Sequence, residues 1–480
     1  MAQHTVEKIG GTSIARTDTM LDNVLIAGRS GADLYNRIFV VSAYAGITDA
    51  LLEHKKTGES GVYALYADSE SDWAWGDSLS EARAKMFAVN ADIFGDSTAR
   101  TVADNFVKER VDGVRDCLID LQRLCASGHF QIRDHLMTVR EMLASLGEAH
   151  SAHNTALLLR ENGIRARFVD LTGWRQDEDL PDFDTAVDQA FASVDLDTEL
   201  PIVTGYCRCK ESLVRSYDRG YTEVTMSKVA VRTGAAEAII HKEFNLSSAD
   251  PKLVGADKVR AIRATNYDVA DQLSNIGMEA IHPSAAKGLR QSGIPLRVRN
   301  AFEPTDPGAA IREDADAAEP GVEIVAGRKT VYALEVYEPD MVGVKGYDAA
   351  ILSSLKRHRV HIMAKSSNAN TITHYLHGSP KAVRRVERDL GGEFPGARIS
   401  TRTVALVSAI GRNIAKPGML VTALQALDEA GVEPLAIHDL MRKVDLQIVV
   451  NQEDHDAAIK ALHKGLVEDA AGNDALKQAA

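Results

Sequence analysis

The sequence predicts an α/β protein: an open, largely parallel sheet sandwiched by helices, followed by two smaller α+β units. Three observations carry this. A short apolar strand near the start runs into a Gly-Gly turn, a helix and a second apolar strand. A long helical region then precedes further short apolar segments. Finally, the last third of the chain repeats a spacing of its own.

Taken in order, residues 4–9 read as a buried strand and residues 10–13 (Gly-Gly-Thr-Ser) as a turn into a helix. Leu21, Val24 and Leu25 fall at i, i+3 and i+4 of that helix, with Asp18 as its N-cap. Residues 37–41 are apolar nearly throughout, as strands covered on both faces are. Residues 55–165 read as mainly helical, most clearly from Ile132 to Glu161, before Gly163 as a stop. Strands resume at 201–205 and 235–240. Residues 303–329, rich in Pro, Gly, Asp and Ala without periodicity, read as a linker. Beyond it, Gly346, Leu352, Leu355 and Val360 recur as Gly418, Leu424, Leu427 and Val432, at an offset of 72. Each copy reads as a strand, a glycine turn, an amphipathic helix and more strands, opening at 331–336 and 404–408. The domains expected are therefore 1–302, a linker at 303–329, and units at 330–400 and 401–480.

Composition removes several classes of function. The 480 residues are 45% hydrophobic and 26% charged, an ordinary globular balance. Lys+Arg 55 against Asp+Glu 68 gives a net charge of −13, unlike the basic footprint of a nucleic-acid binder. No apolar run approaches the length of a membrane span, and no secretory leader is recognisable. Four cysteines suit a reducing compartment, so a cytoplasmic protein is expected. Cys207 and Cys209 read as packing thiols rather than zinc ligands. Trp73 and Trp75 lie in an acidic stretch expected to be exposed.

Four segments carry chemistry. At Lys8, Gly10, Gly11 and Thr12, two glycines let backbone N–H groups approach a phosphate, and a helix start and a lysine charge accompany them. A plain strand-to-helix turn reads equally well from these residues alone. Residues 42–48, with Ser42 and Thr48, follow the second strand, where hydroxyls can hold a small polar ligand or merely cap a helix. Glu148 sits in an apolar-patterned helix, either facing solvent or receiving an ammonium group. Residues 215–225 crowd charges and hydroxyls around one glycine: an arginine here suits a carboxylate or phosphoryl oxygen, and Glu223 or Asp218 suits Mg²⁺.

In order along the chain, these segments resemble the aspartate kinase family, within the amino-acid kinase fold. The matching stretches are residues 8–13, 41–48, 147–148, 219–225, 250–252 and 276–283, and the duplicated tail is similar to the paired ACT domains of those kinases. The resemblance spans almost the whole chain. It departs from the family at Tyr221 to Val224, at His241 and Lys242 near the adenine, at Lys252 and at Glu279. These departures resemble a divergent branch associated with ectoine biosynthesis.

The resemblance implies phosphorylation of the β-carboxylate of L-aspartate by ATP with Mg²⁺, giving 4-phospho-L-aspartate. A kinase of another small carboxylate such as glutamate, or a non-catalytic amino-acid sensor, is the alternative. Lys8, Arg219 and Glu223 are the implied catalytic residues, with Glu223 on Mg²⁺ or the substrate ammonium. Ser42, Thr48, Glu148, Arg219 and Thr222 would hold aspartate. Lys8, Gly10, Gly11, Thr12, His241, Lys242 and Lys252 would hold the nucleotide. Met341, Asp348, Met363 and Ser366 mark the effector position of the first ACT-like unit. There the family's acid is replaced by Met363, so little inhibition by lysine alone is expected. A homodimer or higher assembly through the ACT-like units is implied, with neither nucleic acid nor membrane as partner.

Overall fold

Apolar runs too short for helices become the strands of two sheets. The computed structural model describes residues 4–55, 57–68, 73–176, 179–217, 220–278, 281–313 and 319–469. The chain divides into two units, Met1–Asn245 with Ile281–Glu313, and Leu246–Ala280 with Asp314–Ala480. In chain order the strands are β1 (Thr5–Ile9), β2 (Arg37–Val41), β3 (Ala166–Val169), β4 (Leu200–Thr204), β5 (Glu237–Lys242), β6 (Ala264–Asn266), β7 (Leu296–Asn300), β8 (Ala309–Arg312), β9 (Ile324–Tyr337), β10 (His361–Ser367), β11 (Thr371–His377), β12 (Arg398–Ile410), β13 (Ala436–Asp439) and β14 (Asp445–Asn451).

In the first unit the strand order is β3-β4-β2-β1-β5-β7-β8. All neighbours are parallel except β7 and β8. Every residue of β2 and of β4 is buried, as the continuous apolar runs required. The helices Ala74–Phe94, Thr98–Ala126 and Ile132–Glu161 fill the helical region. The last of these is buried almost all round from Leu143 to Leu159 and is the central helix of this unit. The chain leaves β1 toward β2 on one side and later returns to β5 on the other. That reversal leaves a crevice at the carboxyl end of β1, where open α/β sheets place their ligands.

The second unit holds an antiparallel sheet ordered β10-β11-β9-β12-β14-β13. The repeat is plain in its elements. The helices Tyr347–Arg357 and Met419–Glu429 follow Gly346 (φ 114°) and Gly418 (φ 79°), both left-handed, where a side chain would be strained. The long strands β9 and β12 pair with each other, so both copies share one sheet. Leu334, Val336, Ile351, Leu355 and Val386 form the core of the first copy; Val407, Leu427, Leu446, Ile448 and Leu462 form that of the second. The opposite face packs on the helix Tyr267–Asn275 through Val269, Leu273 and Ile276.

Several local expectations need correction. Residues 303–329 contain β8 and the start of β9, because polar residues such as Arg328 pair in a ladder as well as apolar ones do. β12 likewise opens at Arg398, six residues before its apolar run. β5 lies two residues later than expected, because its last residues are polar. Asp18 caps nothing; the helix Thr17–Met20 starts after Arg16 without a side-chain cap. Trp73 is 80% exposed, but Trp75 is buried edge-to-face against Tyr66. Cys207 and Cys209 are buried free thiols. No helix among the described residues is long and apolar enough to cross a membrane.

Candidate active site

Two loops meet at the carboxyl ends of β1 and β2. The Ser42 N–H donates to Ile9 O (3.1 Å) and the Ala45 N–H to Gly11 O (3.2 Å). A Cβ on Gly11 would overlap Ala43 O, so only glycine allows this approach. Ser42 and Thr48 are half-buried along the second loop, Gly10 and Thr12 are on the first, and Thr12 is exposed.

The central helix contributes Glu148 to the same place. It is 3% exposed, and a Cβ on the preceding Gly147 would press on Ala43 Cβ. Glu148 Oε1 accepts a long bond from Thr222 Oγ1 (3.4 Å), while Oε2 makes no hydrogen bond of good geometry. Burial pushes this carboxyl up to about 7, against the weaker opposing pull of the Ala43 N–H, Tyr221, Lys8 and Thr222. A buried carboxylate short of donors suits an incoming ammonium group.

Lys8 leaves β1 on this side, its Nζ 3.4 Å from Glu223 Oε1, and both side chains are mostly buried. Glu223 Oε2 also accepts the His282 N–H (2.5 Å). Burial would raise the Glu223 carboxyl, but the charges of Lys8 and Lys242 and the His282 N–H outweigh it and hold it low. The site is thus a ring: Lys8, Glu223 and Lys242 on one side, Glu148 and Thr222 on the other, with the two backbone loops beneath.

Adjacent residues on a strand face opposite sides of the sheet, which separates His241 from Lys242. Lys242 shares the face of Lys8. His241 lies opposite, its Nε2 2.7 Å from Glu7 Oε2 in the core. The expectation that His241 reaches the nucleotide is therefore corrected: it is 4% exposed and committed to Glu7. Lys252 belongs to the second unit, where Asp250 Oδ1 accepts its backbone N–H (2.9 Å). Arg219, Asp218 and Glu279 lie outside the described residues.

The four effector positions have different surroundings. Met341 is buried with Ile351 and Leu355 in the first copy's core, while Met363 joins the core on the other face with Tyr375. Asp348 pairs with Lys365. Ser366 lines a polar cavity of about 540 Å³ with Thr373, Tyr375 and Arg402.

Some residues at the site escaped sequence reasoning. Gly205, after β4, has no room for a Cβ: it would overlap Glu148 Oε2 and stand 2.6 Å from Thr222 Cγ2. Ser13 Oγ donates to Glu243 Oε1 (3.2 Å), tying the first loop to the end of β5. His282, which anchors Glu223, is distant in sequence. A glycine directly after a buried strand was the available signal for Gly205; Ser13 and His282 lie within the matching stretches 8–13 and 276–283, but nothing there gave them a role.

Residues 3–300 match the amino acid kinase family. Across 97% of this chain and 98% of its own length, the aspartate kinase Ask_Ect of Stutzerimonas stutzeri is 52% identical. The chain belongs to the aspartate kinase family. Chloroplastic aspartokinase 3 of Arabidopsis thaliana is more distant, 22% identical over 96% of this chain and 81% of its own. Escherichia coli aspartokinase III, solved with lysine and aspartate and again with aspartate and ADP, shares the fold. Each structure has a TM-score of 0.70 at 18% identity, covering 97% of this chain and 99% and 100% of theirs. This aspartate kinase is accordingly an ATP-dependent phosphotransferase, and its ring of polar groups lies within the residues that match the amino acid kinase family.

Proposed function

We propose that Glu148, Thr222, Ser42 and Thr48 hold L-aspartate while Lys8, Lys242 and the amides of Gly10 and Gly11 hold the phosphates of ATP. The observation that carries this is the buried, underbonded Glu148 carboxylate a short reach from the Lys8–Glu223 pair. The substrate ammonium supplies the missing partner to Glu148. Its α-carboxylate is left to Arg219, in keeping with the family resemblance.

The acceptor is a carboxylate already ionised at neutral pH, so no general base is needed. One β-carboxylate oxygen bonds to the γ-phosphorus as the bond from phosphorus to the ADP oxygen breaks. Catalysis is then positioning plus charge stabilisation. Lys8 lies where it can neutralise charge on the transferred group. Glu223 holds the lysine in place until ligands arrive.

Mg²⁺ fits this arrangement as an ion carried mainly by phosphate oxygens and water, with Glu223 as its protein carboxylate. Among the described residues no group of three or more His, Cys, Asp or Glu side chains could hold a metal alone. A nucleotide-borne ion does not need one.

Hydroxylamine trapping tests the reading: purified protein with ATP, Mg²⁺ and aspartate yields the aspartyl hydroxamate, and glutamate yields far less. No product from aspartate would refute it. The product is also proposed to feed ectoine synthesis, on the strength of the 52% identity to Ask_Ect. Assembly of two copies through the ACT-like units is supported by β10 and β13, which end their sheet with one unpaired side each. Lysine alone is expected to inhibit little, since Met363 is buried and uncharged; submillimolar half-inhibition would contradict this.

A further inference from the structure

Two turns before Glu148, the same helix carries a second buried carboxylate that the reaction above does not use. Glu141 is 8% exposed. Its Oε1 accepts from Ser212 Oγ (2.7 Å), the Val214 N–H (2.9 Å) and the Arg215 N–H (3.2 Å). Its Oε2 accepts from the Tyr206 hydroxyl (2.5 Å). All four donors belong to residues 206–215, the segment between β4 and the stretch that holds Thr222 and Glu223.

Each contact fixes something the segment cannot fix by itself. The Val214 and Arg215 N–H groups open the short helix Leu213–Tyr217 and have no partner within its single turn. Ser212 stands at φ 55°, a left-handed conformation a serine seldom adopts, and its hydroxyl bond to Glu141 helps to hold it there. Burial first, and then the Glu141 carboxylate, pushes the Tyr206 phenol far above its usual pKa, so it remains a donor. Residues seven apart share a helix face and stand about 10.5 Å apart along the axis. A single rigid helix therefore sets the separation between the tethered segment and Glu148.

We propose that Glu141 is a positioning residue: it fastens residues 206–215 to the central helix and so sets Thr222 and Glu223 opposite Glu148. The proposal rests on Glu148 and Thr222 forming the aspartate pocket. Its effect falls on aspartate more than on ATP. The phosphate-facing loop at Gly10 and Gly11 is held by β1 and by the 42–45 backbone, with no contact through Glu141. A shift of about 1 Å in a substrate-positioning group can cost about 100-fold in rate.

The experiment compares wild type with Glu141→Ala, Glu141→Gln and Tyr206→Phe for kcat, for KM of aspartate and of ATP, and for Tm. Glu141→Ala is expected to raise the aspartate KM by about 10-fold or more, with the ATP KM within about 3-fold. Glu141→Gln should restore the aspartate KM to within about 3-fold, because its carbonyl oxygen can take over the three Oε1 contacts while its amide donates to the Tyr206 oxygen. An aspartate KM unchanged in Glu141→Ala overturns the proposal. So does a joint worsening of both KM values and kcat that follows Tm and is not rescued by glutamine. Should Glu141→Ala fail to fold, Tyr206→Phe decides: a selective rise in aspartate KM supports the tether, and no rise overturns it. Failure of the pocket reading looks different, since Glu148→Ala would then leave the aspartate KM unchanged and the proposal would fall with it.

Discussion

Strand β1 has a buried charge cluster on each face, and the two are opposites. On one face Glu7 accepts from Arg37 Nε (2.7 Å), Arg37 Nη2 (3.2 Å) and His241 (2.7 Å), while Arg37 also donates to the carbonyls of Val24 and Leu25. Burial would raise the Glu7 carboxyl, but Arg37 and His241 overwhelm it and hold it far below the usual range. On the other face Glu148 is equally buried, but the Ala43 N–H, Tyr221, Lys8 and Thr222 offset its burial only in part, and it is pushed up to about 7. Burial of charge is thus common to both faces, and only satisfaction distinguishes them. The satisfied cluster ties three strands together; the unsatisfied one waits for a ligand.

Breaking the satisfied cluster should have the largest effect. Arg37→Met leaves the buried Glu7 carboxylate without its bidentate guanidinium partner, keeping His241 and the Thr5 hydroxyl (3.0 Å), which should cost about 3–5 kcal/mol in denaturant unfolding. A loss under about 1 kcal/mol would show that the cluster contributes little. The unsatisfied carboxylate should produce a pH effect of nearly the same size. Folded Glu148 keeps its proton up to about pH 7 and the unfolded chain releases it near 4.5. Between those values the folded state binds more protons, so the stability of the ligand-free protein falls as pH rises. Glu148 accounts for about 3 kcal/mol of that fall. Unfolding titrations of Glu148→Gln should lack this part of the slope. Asp445, raised by burial to about 6, slopes the same way in both proteins and cancels in the difference.

Kinetics separate the faces more finely. Glu148→Ala should raise the aspartate KM by about 10- to 150-fold, the worth of a charged hydrogen bond of about 1.5–3 kcal/mol. Because the ionised form binds ammonium, the wild-type aspartate KM should improve as pH rises through about 7, and a flat profile between pH 6 and 8 would contradict this. The smallest effect belongs to His241. If it is structural, His241→Phe lowers stability but leaves the ATP KM within about 2-fold; a 10-fold rise would return it to the nucleotide pocket.

Much of this arrangement was readable before any coordinates. Strands buried on both faces announce themselves as unbroken apolar runs, as at β2, and Gly346 and Gly418 marked the duplication by their matched spacing. Lys8, Gly11, Ser42, Thr48, Glu148 and Glu223 were named from residue type and position, and Thr222 through the family resemblance. What stayed hidden depended on facing and on distant partners. His241 and Lys242 read as a pair, although a strand sends neighbours to opposite sides. Glu141 looked like any other helical acid, since its donors are at least 65 residues away. Alternation was available for the first error; the last needed the fold.

The contact between Gly11 and Ala43 limits how such a site can diversify. It joins the two loops backbone to backbone, so no exchange of side chains in either loop can slide one past the other. One wall of the pocket is therefore closed to gradual change, and any substitution at Gly11 must open the seam outright. The opposite wall is built from side chains, Glu148 of the central helix with Thr222 and Glu223, which can be altered singly. A change of acceptor preference therefore has one side from which to arise, and the Gly11–Ala43 seam stays the same while it does.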